Sequence, residues 1–184
     1  MHDKQHNKIV FAGPVGAGKT TAIGAISDID PVKTEANASD DVALLKQNTT
    51  VAMDYGVLNL DGGEKLMLYG TPGQTRFSFM WDIVSKGAIG LVLLMDNRRD
   101  NPIDDLKTFI DAFGTLVVDT ACVIGVSHCD EAPAPDLVQY RQALTALALP
   151  RVPPVFQVDA RSHDDVATLV KALLFALDPE QAEV

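Results

Sequence analysis

Ile9-Val10-Phe11-Ala12-Gly13-Pro14-Val15-Gly16-Ala17-Gly18-Lys19-Thr20 is the stretch that decides the fold. Ile9 to Ala12 is a continuous β-favouring run that stops at Gly13, and a periodic stretch begins after Gly18. The order is therefore strand, glycine-rich turn, helix. Gly13 to Thr20 matches G-x-x-x-x-G-K-[ST] without a departure and in the setting that pattern requires. Glycines let the backbone curl so that successive N–H groups converge on a phosphate at the positive end of the following helix. Gly13, Val15, Gly16, Ala17, Gly18, Lys19, Thr20 and Thr21 are the candidate phosphate-binding positions. Lys19 is expected to bridge β- and γ-phosphate oxygens, and the Thr20 hydroxyl to ligate magnesium. A chance match in a chain of this length is roughly a one-in-a-hundred event at ordinary residue frequencies.

Outward from that stretch, short apolar strands alternate with helical segments, the pattern of a mostly parallel sheet with helices on both faces. Val51 to Leu60 and Lys65 to Tyr69 flank Asp61-Gly62-Gly63-Glu64, where glycines supply positive φ, so these two strands are expected to pair antiparallel. Leu91 to Met95, Ala121 to Val126 and Val155 to Val158 complete an expected six-stranded sheet with one antiparallel strand. About five helices are expected, among them Leu137 to Leu147 and a partly helical Thr75 to Lys86. Ile103, Leu106, Phe109, Ile110 and Phe113 recur at helical spacing, with Pro102 suited to the first turn. Val166, Leu169, Val170, Leu173, Leu174 and Leu177 stripe a last helix, read as core because both sheet faces must be covered. Pro31 to Thr49 loses periodicity and is expected to be a long, mobile connection. The 184 residues read as one domain, with a folded core over about residues 8–178 and short tails.

Hydrophobic content of 47% with 22% charged residues is globular, and the net charge of −10 argues against a nucleic-acid or anionic-membrane binder. The first seven residues are polar and carry no secretory signal, position 2 is His rather than the Gly of a myristoylation site, and no prenylatable Cys ends the chain. A cytoplasmic protein without a direct membrane anchor is expected. Cys122 and Cys129, lacking metal or redox spacing, read as reduced thiols.

At Gly70-Thr71-Pro72-Gly73-Gln74-Thr75-Arg76-Phe77, a glycine whose N–H could sense a γ-phosphate precedes a glutamine able to orient water. Together with the phosphate loop, Thr49-Thr50, Asp130 and the runs TTVAMDYG, YGTPGQTRFSFMWD and LLMDNRRD, the chain resembles the small Ras-like GTPases. The bacterial proteins akin to MglA, encoded beside roadblock-domain proteins, are the subgroup it is most similar to. The resemblance implies a three-layer P-loop NTPase fold, bound GTP or GDP with Mg2+, and a roadblock-domain protein as regulator or effector. It implies that Thr50, or Thr49 one residue away, closes over magnesium. Gly73 and Gln74 would be the phosphate-sensing and water-positioning pair, and Arg76 either supplies charge near the leaving phosphate or is a surface arginine. Trp81 is either core or a partner-binding anchor.

Three departures carry weight. Pro14 and Val15 remove one N–H donor and add bulk beside the expected γ-phosphate, so slow hydrolysis is expected. Gly70 stands where the Ras-like family has a magnesium-shell Asp; MglA-like proteins lack it too, so the resemblance implies that another carboxylate or water completes the metal shell, with Asp54 and Asp96 as candidates or as structural hydrogen-bonding groups. Ser127-His128-Cys129-Asp130 replaces the family's Asn-Lys-x-Asp, and Asp159-Ala160-Arg161 its Ser-Ala-Lys. Asp130 retains the carboxylate that accepts from guanine N1–H and N2–H, a pairing adenine cannot satisfy. Ser127, His128, Asp130, Ala160 and Arg161 are accordingly the candidate guanine site. The leading expectation is a switch with weak, magnesium-dependent GTPase activity; a nucleotide-locked adaptor and a P-loop ATPase or kinase are the alternatives.

Overall fold

The computed structural model describes residues 7–35 and 52–177. In chain order the elements are β1 (Asn7–Ala12), α1 (Lys19–Ile26), β2 (Val32–Glu35), β3 (Ala52–Asn59), β4 (Lys65–Gly70), a 3-10 turn (Thr75–Phe77), α2 (Ser78–Ser85), β5 (Gly90–Asp96), α3 (Pro102–Ala112), α4 (Gly114–Asp119), β6 (Ala121–Ser127), α5 (Leu137–Ala146), β7 (Val155–Gln157) and α6 (His163–Leu177). The strands form one sheet in the order β2-β3-β4-β1-β5-β6-β7. Every pairing is parallel except those of β3, which runs antiparallel to both β2 and β4.

The α/β class and the single antiparallel strand are as expected, and the sheet carries one strand more than the six read from sequence. The addition is β2, inside the segment expected to be an irregular connection, and it pairs with β3 alone at the sheet edge. The first residues of that segment are thus ordered by their neighbour's backbone. Thr49, Thr50, the Val42-to-Leu45 turn and Pro179 lie outside the described residues. The described helices number six, because the short α4 follows α3 directly.

Ile9, Val10, Phe11 and Ala12 have no exposed surface, and β5 and β6 are buried throughout, as expected of central parallel strands covered on both faces. On one face Ile9, Phe11, Val92 and Val123 pack with Ile23 of α1 and Leu169 and Leu173 of α6. On the other, Val10, Leu91 and Ile124 pack with Trp81, Phe109 and Phe113. Of the two readings left open for Trp81, the structure shows the core one: it is buried, 4.9 Å from the Phe109 ring and 5.3 Å from the Phe113 ring. Its indole N–H donates to the Pro72 carbonyl at 2.8 Å, satisfying the polar atom a buried tryptophan brings.

β1 has β4 on one side and β5 on the other, so the chain leaves it in opposite directions. In open α/β sheets the crevice at the carboxyl ends of such strands is where ligands bind. The glycine-rich loop lies at that end. Among the described residues no helix is long and apolar enough to cross a membrane. Cys122 and Cys129 are free thiols, and burial pushes Cys122 up to about 12.

Candidate functional site

The phosphate loop is held by contacts that only glycine permits. Gly13 has φ 136°, and a Cβ there would lie 1.9 Å from the Leu94 carbonyl oxygen. Gly18 has φ 96°, and its missing Cβ makes room for the Ala160 methyl group, which would otherwise be 2.7 Å away. The loop is thereby pressed against β5 on one side and the Asp159-Ala160-Arg161 turn on the other. Lys19 opens α1, is 8% exposed, and donates from Nζ to the carbonyls of Gly13 and Pro14 at 2.7 Å each. Burial lowers its pKa to about 8 against the opposing pull of Asp54. An ammonium has three donors, so one remains for a ligand oxygen. Val15, half exposed, stands at the open side of the loop.

The Thr20 hydroxyl donates to Asp54 Oδ2 at 2.5 Å, and Asp54 on β3 is the register partner of Gly70 on β4. Hydroxyl and carboxylate oxygens are the hard donors magnesium takes. Among the described residues no group of three His, Cys, Asp or Glu side chains could hold a metal by itself, so an ion here would need ligand phosphates as well. Thr50, the other expected metal ligand, lies outside the described residues.

Gly73 follows β4 and packs on the loop: a Cβ there would meet the Val15 nitrogen at 2.5 Å and Lys19 Nζ at 2.8 Å. Gln74 and Arg76 are exposed and line the same cleft as Val15 and Gly73. The Arg76 guanidinium stacks 4.7 Å from the centre of the Phe77 ring, which agrees with the surface reading of this residue more than with a contact to phosphate. A second arginine in that cleft, Arg99, was not singled out from sequence; it is ion-paired with Asp105 of α3.

On the opposite side of the loop, a cavity of about 420 Å³ runs from Gly16 and Gly18 to His128, Asp130, Ala160 and Arg161. Thr21 lines this cavity rather than the Gly73 side. Ser127 is buried and its hydroxyl lies 3.0 Å from the Ala17 carbonyl and 3.1 Å from that of Met95, tying the end of β6 to the phosphate loop. His128 has φ 60°, with Nδ1 2.9 Å from Ser127 Oγ and 3.2 Å from Asp96 Oδ1. Asp130 is exposed at the cavity, and Arg161 forms a two-pronged pair with Asp159 at 2.9 and 2.8 Å. Hydrogen bonds from the Arg161 side chain and backbone hold Asp159 down at about 2.

Two supporting groups went unseen in the sequence. Arg98 grips Asp96 with two bonds of 3.0 Å and reaches Glu131 at 3.3 Å. Burial pushes the Asp96 carboxyl up, and the Arg98 hydrogen bonds and the His128 and Arg98 charges more than offset it, leaving it below the ordinary range. Asn97 donates to the carbonyls of Ala132 and Pro135 and accepts from the Tyr140 hydroxyl at 2.9 Å, which braces the segment carrying Asp130. Only the run of polar residues after a fully apolar strand hinted at either.

The family described as "Conserved hypothetical ATP binding protein" matches residues 11–149, from the end of β1 to beyond α5. This chain belongs to that family. An uncharacterized protein of Methanocaldococcus jannaschii is 31% identical over 97 residues, which are 52% of this chain and 54% of that one. GTP-binding protein ypt4 of Schizosaccharomyces pombe is 28% identical over 124 residues, 64% of this chain and 48% of its own. This member of the family thus spans about half the length of the curated relatives it matches. The G domain of the T. maritima FeoB iron transporter superposes with a TM-score of 0.65 at 18% identity, covering 92% of this chain and 97% of that one. The family member therefore has a P-loop GTPase-like fold of the nucleotide-binding kind.

Proposed function

We propose that the chain is a small GTP-binding protein, similar to the MglA-like subgroup, that acts as a nucleotide-dependent switch and hydrolyses GTP slowly to GDP and phosphate. The observation that carries this reading is the cavity joining the phosphate loop at Gly16 and Gly18 to Asp130 and Ala160. One end offers the curled backbone of Gly16 and Gly18 to phosphates, and the other offers a carboxylate to the two N–H donors of guanine. Lys19 and the backbone N–H groups of Gly13 and of Val15 to Thr21 would hold the phosphates. His128, Asp130 and the Ala160 N–H would hold the base, with Ser127 steadying the loop from β6. Gln74 would orient water for in-line attack on the γ-phosphorus, breaking its bond to the β-phosphate oxygen, and Arg76 would serve only if it left the Phe77 ring. Magnesium, held by Thr20 and Thr50, would neutralise charge on the β- and γ-phosphates.

Differential contact with the γ-phosphate at Gly73 is what can shift a switch equilibrium, since only a difference in affinity between states does so. A single cytoplasmic domain with a roadblock-domain regulator or effector completes the reading, the partner resting on the resemblance alone. The family's description favours a second reading, an ATP-binding protein. Titration with GDP, GTP, ADP and ATP, each with and without magnesium, separates the two: a clear preference for adenine nucleotides defeats the GTP reading. Single-turnover phosphate release then tests the switch. An inert GTP complex, even with partner present, leaves an adaptor, and a Val15→Gly variant that hydrolyses no faster removes the steric explanation for slow turnover.

A further inference from the structure

Away from the phosphate loop, the segments that lead into β5 and β6 frame a second cavity of about 520 Å³. The end of α2 and the turn at Lys86 to Ala88 line one side, and the end of α3, α4 and Thr120 line the other. Because β5 and β6 run parallel to β1, this space lies at the amino ends of the strands, opposite the glycine-rich loop at their carboxyl ends. Its volume falls within the roughly 300–1,000 Å³ of small-molecule sites. Phe113, Leu116 and Ala88, all buried, give it an apolar floor.

Asp82 of α2, Asp111 of α3 and Asp119 of α4 stand exposed around that floor, against one lysine, Lys86. Among the described residues none of the three carboxylates makes an ion pair or a side-chain hydrogen bond, whereas Asp96, Asp104, Asp105 and Asp159 are all paired with cations. Ser85 lines the same cavity, and its buried hydroxyl oxygen has no hydrogen-bond partner among the described residues. Buried polar groups are nearly always bonded, so this hydroxyl points to a group that the described chain does not supply.

We propose that the cavity is a binding site for an aliphatic diamine or polyamine, its methylene stem on Phe113 and Leu116 and its ammonium groups among the three aspartates. The stem would leave water on the apolar floor, and an ammonium is attracted both to carboxylates and to an aromatic face. Among the described residues no group of three His, Cys, Asp or Glu side chains could hold a metal ion, so the carboxylates suit a string of separated charges rather than one compact cation. A second copy of this chain, at net charge −10, would bring like charge to the same rim. The inference is independent of the nucleotide reading.

Spermidine is titrated into the full chain by calorimetry, and the amide resonances of Gly87, Gly114 and Thr120 are followed by NMR. One-to-one binding that moves those resonances is expected to persist at about 0.15 M salt, where exposed charges more than about 8 Å apart are screened. Asp111→Asn/Asp119→Asn should weaken it about fivefold or more, the upper end for one exposed ion pair. Asp61→Asn/Glu64→Gln, an equal change of charge at the β3–β4 turn outside the cavity, should leave it within about twofold. Gly114→Leu separates the cavity from bulk charge: a Cβ there meets nothing within 4 Å, so the new side chain fills open space and keeps every carboxylate. It should abolish the resonance changes. Equal losses in the two double variants, or wild-type binding by Gly114→Leu, reduce the effect to attraction by an acidic surface and overturn the site. Binding of a tetralysine peptide without binding of spermidine overturns the ligand class in favour of a protein partner.

Discussion

Lys19 carries an electrostatic cost that can be measured apart from any activity. Its ammonium is buried, and its pKa stands at about 8 against an ordinary 10.5. At about 1.36 kcal/mol per pH unit that gap makes the charged lysine cost the nucleotide-free fold about 3 kcal/mol below pH 8. The unfolded chain binds the extra proton between the two pKa values, so stability rises with pH across that window. Between pH 7 and pH 10 about 2–3 kcal/mol of the cost should be relieved. Cys122 and Tyr140, both raised by burial, titrate above most of this range and are common to wild type and Lys19→Met. Urea unfolding of the two proteins at matched pH therefore isolates the lysine: wild type should gain on the variant as pH rises. A difference constant to within about 0.5 kcal/mol would refute the burial argument. The same proton links to binding, because phosphate oxygens favour the ammonium. Nucleotide association above pH 8 should take up a proton, seen by calorimetry in two buffers of different ionisation enthalpy, and affinity should fall by up to about tenfold per pH unit.

Gly13→Ala, whose methyl group would meet the Leu94 carbonyl oxygen at 1.9 Å, should yield no soluble folded protein in expression trials. Ser127→Ala removes a buried hydroxyl shared by two carbonyls and should cost about 1–3 kcal/mol in chemical denaturation, with a lower nucleotide affinity in parallel. Gly73→Ala places a methyl group 2.5 Å from the Val15 nitrogen and 2.8 Å from Lys19 Nζ, so the segment must back away from the loop. The variant should stay folded by circular dichroism but lose about tenfold, or 1.4 kcal/mol, in affinity for GTP relative to GDP.

The β1–loop–α1 unit was legible because its signals are local: an apolar run, a fixed motif and a change of period fall within twelve consecutive residues. The Asp61-to-Glu64 turn was equally legible, and it implies more than a hairpin. Pairing Asn59 with Lys65 across that turn carries Asp54 to Gly70 by simple counting. What sequence could not supply was the position of α1, which lies over the hairpin so that Thr20 reaches Asp54 and Ile23 packs on Gly70. The edge strand β2 escaped for a different reason: the sequence Val-Lys-Thr-Glu carries a single aliphatic residue and so no apolar alternation, and its pairing is with β3 alone. Trp81 was undecidable by residue type, since an indole suits a core and an interface equally, and only its stacking on Phe109 and Phe113 settles the matter. Arg98 and Arg99 are adjacent in sequence yet serve opposite sides of the phosphate loop, a divergence set by their partners Asp96 and Asp105.

The Ser127 hydroxyl faces two carbonyls with a single proton. An asparagine amide, as in the resembled family, has two protons and could satisfy both at once. A hydroxyl must divide its donor between them or rotate from one to the other, so the phosphate loop is moored by a pivot where an amide would make a clamp. Spontaneous ligand escape should accordingly be faster than in a chain with the amide, and Ser127→Asn is the variant whose release rate would reveal how much retention time that missing proton removes.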